Sequence, residues 1–340
     1  MKEHKVLLFP KASFQIMLHS DTIFGAICWA IRTLFGKEKL LRIIEEFQSS
    51  PPFFVSSSFP FKQIGDRRYF YLPKPLLPSL SIQEIRALTN KAKIRLKPYH
   101  HKEKAKIIEI ASAYKGFKKL SYIPLAAFEK VQKGASEKDL FIDFLDNRIK
   151  DIKFAQTGIV QKNRLDRLYF STSTAFGEVF FENEMGFQKD YGLYFLLKIA
   201  DKYFKEYLKP ALLLLQDSGI GPNAKTGKNW FEIEIDDEPL FKDIPQTNTF
   251  ITLSRYVGID KIDIEGSYYN IETVRSKVES RFEFTGENVW KDQIMYFSVG
   301  SLIKTKDKKE YYGGLLPAKE IKGKTIYQYG YAYPAYIQGE

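Results

Sequence analysis

The residues best suited to chemistry lie between 217 and 231, where the chain reads Asp-Ser-Gly-Ile-Gly-Pro-Asn-Ala-Lys-Thr-Gly-Lys-Asn-Trp-Phe. Gly219, Gly221, Gly227 and Pro222 exclude regular structure there, and Lys225 and Lys228 add positive charge. A backbone without side chains lets a ligand approach closely, and successive N–H groups in such a loop cradle phosphate. The stretch is not a nucleotide-binding P-loop. Five residues rather than four separate Gly221 from Gly227, and Asn229 follows Lys228 where that motif needs Ser or Thr. The loop also follows an apolar helical run (Tyr207 to Leu215) and precedes a strand-like run (Trp230 to Ile235), whereas nucleotide loops run from strand to helix. It reads as a loop that grips a polynucleotide backbone.

His19 is the other residue in a chemically suggestive place, just before a helix start, while His4, His100 and His101 read as surface residues. As a general acid–base it needs a partner within hydrogen-bond reach, and Asp21 is equally well placed to cap the helix. A structural or polynucleotide-contacting His19 is preferred, with general acid–base catalysis as the alternative. No Cys/His spacing of a metal site and no Gly-x-Ser-x-Gly elbow occurs, and Asp236-Asp237-Glu238 reads as a solvated linker. No catalytic residue and no cofactor is assigned.

Composition agrees with a polyanionic partner. Lysine and arginine number 52 against 41 acids, a net charge of +11. Phe and Tyr are numerous, at 28 and 21, which fills cores and also supplies stacking surfaces for unpaired bases. At 340 residues with 44% hydrophobic content, two domains with proper cores are expected. The one cysteine, Cys28, sits in an apolar helical stripe and suits a buried thiol in a reducing cytoplasm. Neither a signal peptide nor an apolar run of the ~20 residues that span a bilayer is present, so a cytoplasmic protein without membrane contact is expected.

These residues need elements to position them. Residues 5–18 read as an opening strand with Pro10 marking a bulge or edge. Ser20 or Asp21 caps a helix whose apolar positions 23, 24, 27, 28, 31, 34 and 35 repeat at helical spacing, with Gly36 as its end. A second helix covers 37–47, and strands are expected at 53–55 and 69–71. Between 90 and 119 ten Lys/Arg face two Glu, the pattern of a solvated helical face that can also contribute to a polyanion surface. Residues 163–183 alternate as a β-hairpin with Leu168 and Phe170 in its first arm. A strand at 191–200, a helix ending at Leu215, the glycine loop and a strand at 229–235 complete a β-α-β-β-α-β, ferredoxin-like order. After an acidic, proline-marked linker, strands are expected within 249–257, 268–273, 293–304 and 327–337.

Four phrases then occur in order: Leu18-His19-Ser20-Asp21-Thr22-Ile23-Phe24-Gly25-Ala26, Arg164-x-Asp166-Arg167, Asp217-Ser218-Gly219-Ile220-Gly221, and Gly300-Ser301 followed by Tyr312-Gly313. In that order and at those separations the chain resembles the RAMP-superfamily subunit that caps the 5′ end of the guide RNA in type III-A CRISPR interference complexes. The resemblance covers essentially the whole chain. It implies an α+β fold of two ferredoxin-like (RRM-like) RAMP domains, 1–240 and 241–340. The first would carry the basic insertion (about 75–155) and a projecting β-hairpin thumb (about 160–185). It further implies a non-catalytic, antiviral RNA-binding subunit that holds the repeat-derived 5′ tag of the crRNA. Such a subunit docks the large polymerase/nuclease subunit and touches the adjacent backbone RAMP subunit. The expected RNA contacts are Lys11, His19, Ser20, Asp21, Thr22, Asn163, Arg164, Arg167, Tyr169, Gly219, Gly221, Lys225, Thr226 and Lys228.

Overall fold

Apolar alternation and helical spacing become β1 (Lys2–Pro10), α1 (Ser20–Phe35), α2 (Lys37–Ser49), β2 (Phe53–Val55), β3 (Phe59–Ile64) and β4 (Arg67–Pro73). Next come α3 (Ile82–Lys91), α4 (Glu103–Lys118), β5 (Tyr122–Pro124), α5 (Leu125–Gln132) and α6 (Glu137–Leu145). A hairpin, β6 (Ala155–Arg164) and β7 (Glu178–Phe187), precedes β8 (Tyr191–Ile199). A short helix α7 (Asp201–Tyr203) and a π-helical turn (Phe204–Leu208) lead into α8 (Lys209–Ser218), followed by β9 (Phe231–Asp236). Seven short strands close the chain: β10 (Thr249–Thr252), β11 (Ile271–Val274), β12 (Ile294–Phe297), β13 (Leu302–Lys304), β14 (Leu315–Ile321), β15 (Lys324–Tyr329) and β16 (Pro334–Tyr336). The computed structural model describes all residues except 92–102, 167, 173–176, 222–223, 242–243, 279–283, 285 and 339–340, and except the side chains of 89–91, 103–104 and 225.

Contacts divide the chain into two units, residues 1–68 with 153–238 and residues 69–152 with 239–340. In the first unit an antiparallel sheet has the order β3–β8–β1–β9, with β2 pairing the far half of β8. The central strands are continuous apolar runs, Val6–Leu8 and Leu193–Leu197, buried throughout. α1 turns Ile23, Phe24, Ile27, Cys28 and Ile31 inward, each side chain contributing roughly 1.5–3 kcal/mol of burial. Leu34 and Phe35, expected in that stripe, are instead exposed in the last turn, where Phe35 meets the Tyr207 ring edge-on at 5.2 Å. Gly36, at φ 85°, ends the helix.

Two local expectations are corrected. The opening strand stops at Pro10 instead of running to 18: the Trp230 carbonyl accepts from both Lys11 N–H (2.8 Å) and Ala12 N–H (3.3 Å), a shared acceptor that bends the chain out of the ladder. The hairpin arms lie further out than 163–183, and Leu168, Tyr169 and Phe170 form the turn between them. Asp166 accepts from the Leu168 N–H at 2.8 Å and bridges Ser171, which closes the turn before a strand can continue.

The second unit draws its helices α3–α6 from 69–152, together with β4–β5. Residues 239–340 form a three-stranded sheet β13–β10–β16 and the ladders β11–β12 and β14–β15, with no helix among the described residues. Glycine, proline or turn residues break every run before a helical period can develop, and Gly300 (φ 89°) splits the expected 293–304 strand into β12 and β13. Aromatic rings make the core here, with Phe250 stacked on Tyr312 and edge-on to Tyr256, in one cluster with Ile303. Burial, then the Asp260 carboxylate that accepts its hydroxyl at 2.8 Å, pushes the Tyr256 pKa upward. Glu137 is buried at the start of α6 and balanced by Lys118 at 3.1 Å and by the Tyr114 hydroxyl.

Candidate nucleic-acid interface

Three segments of the first unit meet at one place: 11–22, which ends in the start of α1; 184–185, at the base of the hairpin; and 219–230, the glycine loop. Backbone bonds tie them together. Phe14 exchanges both hydrogen bonds with Met185 (2.9 and 2.6 Å), Asn229 N–H donates to the Ser13 carbonyl (3.0 Å), and Lys11 N–H reaches Trp230. Asn229 is fully buried at φ 57°, a left-handed conformation that asparagine tolerates, and its Oδ1 accepts from Gln15 N–H at 3.2 Å.

Glycine is required at two positions. Gly219 has φ 78° and ψ 163°, and an added Cβ would lie 3.0 Å from Ala224 Cβ, 3.1 Å from the Asn229 carbonyl and 3.1 Å from Trp230 Cδ1. At Gly221 (φ 91°) the Cβ would press on Leu18 Cδ2 at 3.3 Å and stand in ordinary contact with Thr22 Cγ2 at 3.6 Å. The main-chain edges near 20 and 220 are thus neighbours in space.

The start of α1 is capped from another segment. Neither Ser20 nor Asp21 is the cap; His19 holds that position with no side-chain cap bond, and its carbonyl accepts Ile23 N–H at 3.0 Å. Ser57 Oγ takes the Ser20 N–H at 3.1 Å, and Ser58 N–H donates to the Leu18 carbonyl at 2.8 Å. Ser20 is fully buried and Asp21 nearly so, while His19 and Thr22 are half-buried. Gly25, in the second turn, has nothing within 4 Å of where a Cβ would stand, so close helix–sheet packing does not account for it.

The charges around the loop are largely matched. Lys228 donates to Glu184 Oε2 (2.6 Å) and Ser13 Oγ (2.9 Å), and Ser13 Oγ donates to the same carboxylate at 2.8 Å. Lys162 bridges Glu182 (2.6 Å) and Glu184 (3.4 Å). The Lys228 ammonium above all, with Ser13 and Lys162, holds the Glu184 carboxyl below its usual 4.5. Lys11 pairs with Glu232 at 2.7 Å. Because Glu182 and Glu184 are occupied by lysines, Arg164, exposed at the end of β6, has no ion pair among the described residues.

Of the expected contacts, the structure gathers Lys11, His19, Ser20, Asp21, Thr22, Gly219, Gly221 and Lys228 in this one region. Thr226 is exposed in a 3-10 turn (Ala224–Thr226) of the same loop. Asn163, Arg164 and Tyr169 sit further along the hairpin, exposed. Arg167 and the Lys225 side chain lie outside the described residues. Sequence reasoning missed Ser13, Ser57, Glu184 and Asn229 as organisers of the site. The triple serine 56–58 between two apolar runs was a visible signal for Ser57; nothing local marks Ser13 or Glu184.

No family model matches the sequence. A curated relative, the CRISPR system Cms protein Csm4 of Thermococcus onnurineus (strain NA1), is 26% identical over 249 residues, covering 73% of each chain. The chain is a homologue of Csm4. Solved structures similar to it include a chain of a Csm1–Csm4 cassette in complex with cA4, at TM-score 0.60 and 21% identity over 100% of both chains. A chain of a Csm3–Csm4 subcomplex from the type III-A CRISPR-Cas interference complex matches at 0.56 and 18%, over 96% of this chain and 98% of that one. This Csm4 homologue therefore shares with them a mixed α/β fold with antiparallel sheets. Among the described residues no group of three or more His, Cys, Asp or Glu is placed to hold a metal ion, and no helix is long and apolar enough to cross a membrane.

Proposed function

We propose that this chain is a guide-RNA-binding subunit of a type III-A CRISPR effector complex in the cytoplasm. It holds the single-stranded 5′ tag of the crRNA without cleaving it. The observation that carries this is the closeness of Gly221 to Leu18 and Thr22, whose side chains a Cβ at Gly221 would meet at 3.3 and 3.6 Å, so that the glycine loop lies beside the N-terminal turn of α1. Helix N-termini and bare loop amides both favour phosphate, and adjacent they form one continuous edge for a short strand. In this reading the first unit is a ferredoxin-like RAMP domain, because the order β3–β8–β1–β9 with α1 and α8 as crossovers is that topology. The β6–β7 hairpin, with Ile159, Leu168, Tyr169, Phe170 and Phe181 all more than 65% exposed, is its thumb. A second RAMP-type domain would lie in 241–340, reduced to strands. The similar cassette and subcomplex structures support partners of two kinds, a large Csm1-type subunit and an adjacent Csm3-type RAMP subunit.

Charge reversal at Arg164 together with Lys225 tests the grip. Complexes carrying both changes should retain less RNA on purification and assemble less well, and sequencing RNA bound to the unmodified complex should give one uniform 5′ end. Unchanged RNA retention by the double variant, or ragged 5′ ends, would refute the proposal.

A further inference from the structure

Trp230 ends the glycine loop and is 45% exposed. Its backbone is held firmly: the carbonyl accepts from both Lys11 and Ala12, and the preceding Asn229 is buried. Its ring is placed by Gly219, since any side chain there would strike Cδ1 at 3.1 Å. Among the described residues the indole has no hydrogen-bond partner and no ring or cation contact. Trp290, by contrast, carries the cations of Arg275 and Lys277 over its ring at 5.6 and 4.5 Å. The carboxylates that alternate with Trp230 along β9 are each neutralised, Glu232 by Lys11 and Glu234 by Arg68, both at 2.7 Å, so the surface beside the indole does not repel a polyanion. The indole thus presents a partly exposed aromatic face beside the loop.

We infer that Trp230 is a stacking platform for one unpaired nucleobase of the strand whose phosphates the glycine loop holds. The inference rests on the RNA-binding function proposed above. Stacking needs no base-edge hydrogen bonds, so the platform accepts any base and fixes the register of the strand on the loop.

Full-length protein is titrated with fluorescein-labelled octa-adenylate and with an octamer of the same backbone lacking bases. The unmodified protein should bind octa-adenylate about 5- to 150-fold more tightly than the abasic strand. Trp230→Ala should lose most of that ratio while binding the abasic strand as before, and Trp230→Phe should keep most of it. If Trp230→Ala retains the full ratio, the stacking platform is refuted while RNA binding itself stands. If the unmodified protein binds neither strand, the RNA-binding function fails and this inference fails with it.

Discussion

Gly219 and Gly36 occupy the same rare backbone region, at φ 78°, ψ 163° and φ 85°, ψ 169°, and differ in what surrounds them. Residues other than glycine are strained there by about 1–3 kcal/mol. At Gly36 an added Cβ meets nothing within 4 Å, so Gly36→Ala should lose only that amount. At Gly219 the same methyl falls 3.0–3.1 Å from three atoms. Two of them cannot retreat easily: the Asn229 carbonyl accepts from Ile220, and Ala224 begins the 3-10 turn. Overpacking of this kind adds about 1–3 kcal/mol, giving about 2–6 kcal/mol in all for Gly219→Ala. Urea unfolding of the full chain measures both. With m about 2–3 kcal/mol/M, the Gly219 variant should unfold roughly 0.5–1 M earlier than the Gly36 variant, at unchanged m. Equal midpoints, or the Gly36 variant as the weaker, would show that the loop is not packed against its neighbours as described.

Further outcomes follow from the same region. Glu184 has its pKa lowered in the fold, so its contribution to stability is complete above pH 4.5 and fades as pH falls through the depressed value. Glu184→Gln should therefore cost about 1–2 kcal/mol at pH 7 and flatten the acid limb of the stability profile, which chemical denaturation across pH 3–7 would reveal. Gly25→Ala should stabilise the free protein by about 1 kcal/mol, since its Cβ enters open space in a helix; a loss of stability would reveal an overlooked contact. Repeat RNA incubated with the protein in EDTA should remain intact, and specific cleavage abolished by His19→Ala would establish the enzymatic alternative instead.

The first unit was legible in the sequence where one local signal decided the structure. Helical spacing from Ile23 to Ile31, Gly36 as a stop and the unbroken apolar run at 193–197 each became the expected element. Where a distant segment decided, the signal was missing. Ser57 caps α1 from a strand connection 37 residues away, and Ser13, Glu184 and Lys228 join three separate segments through a single carboxylate. Lys228 illustrates the difference. In sequence it is a free cation in a glycine loop; in the fold its ammonium is spent on Glu184 and Ser13. The hairpin tip was misplaced for a similar reason, because the Asp166 turn overrides the alternation that Leu168 and Phe170 display. Residues 241–340 offered strands correctly but not their organisation, since short runs of aromatic and β-branched residues carry little information about pairing partners.

These pairings change what the charge of +11 means for binding. Lys11, Lys162 and Lys228 are already matched to Glu232, Glu182 and Glu184, and a matched ammonium cannot neutralise a phosphate without abandoning its carboxylate. In the proposed RNA-binding role the grip would rest instead on main-chain amides, the α1 terminus and the three cations expected from the sequence, Arg164, Arg167 and Lys225. Amides hold phosphate without displacing a condensed counterion, so they add affinity without adding salt dependence. For single strands the slope of log K against log salt is about −0.7 per neutralised phosphate; three cations give about −2, whereas recruiting all three paired lysines as well would give about −4. Binding of a short single-stranded RNA measured between 50 and 400 mM salt should follow the shallower line. A slope near −4 would mean that the Glu184 network opens on binding and that the lysines, not the backbone, do the holding.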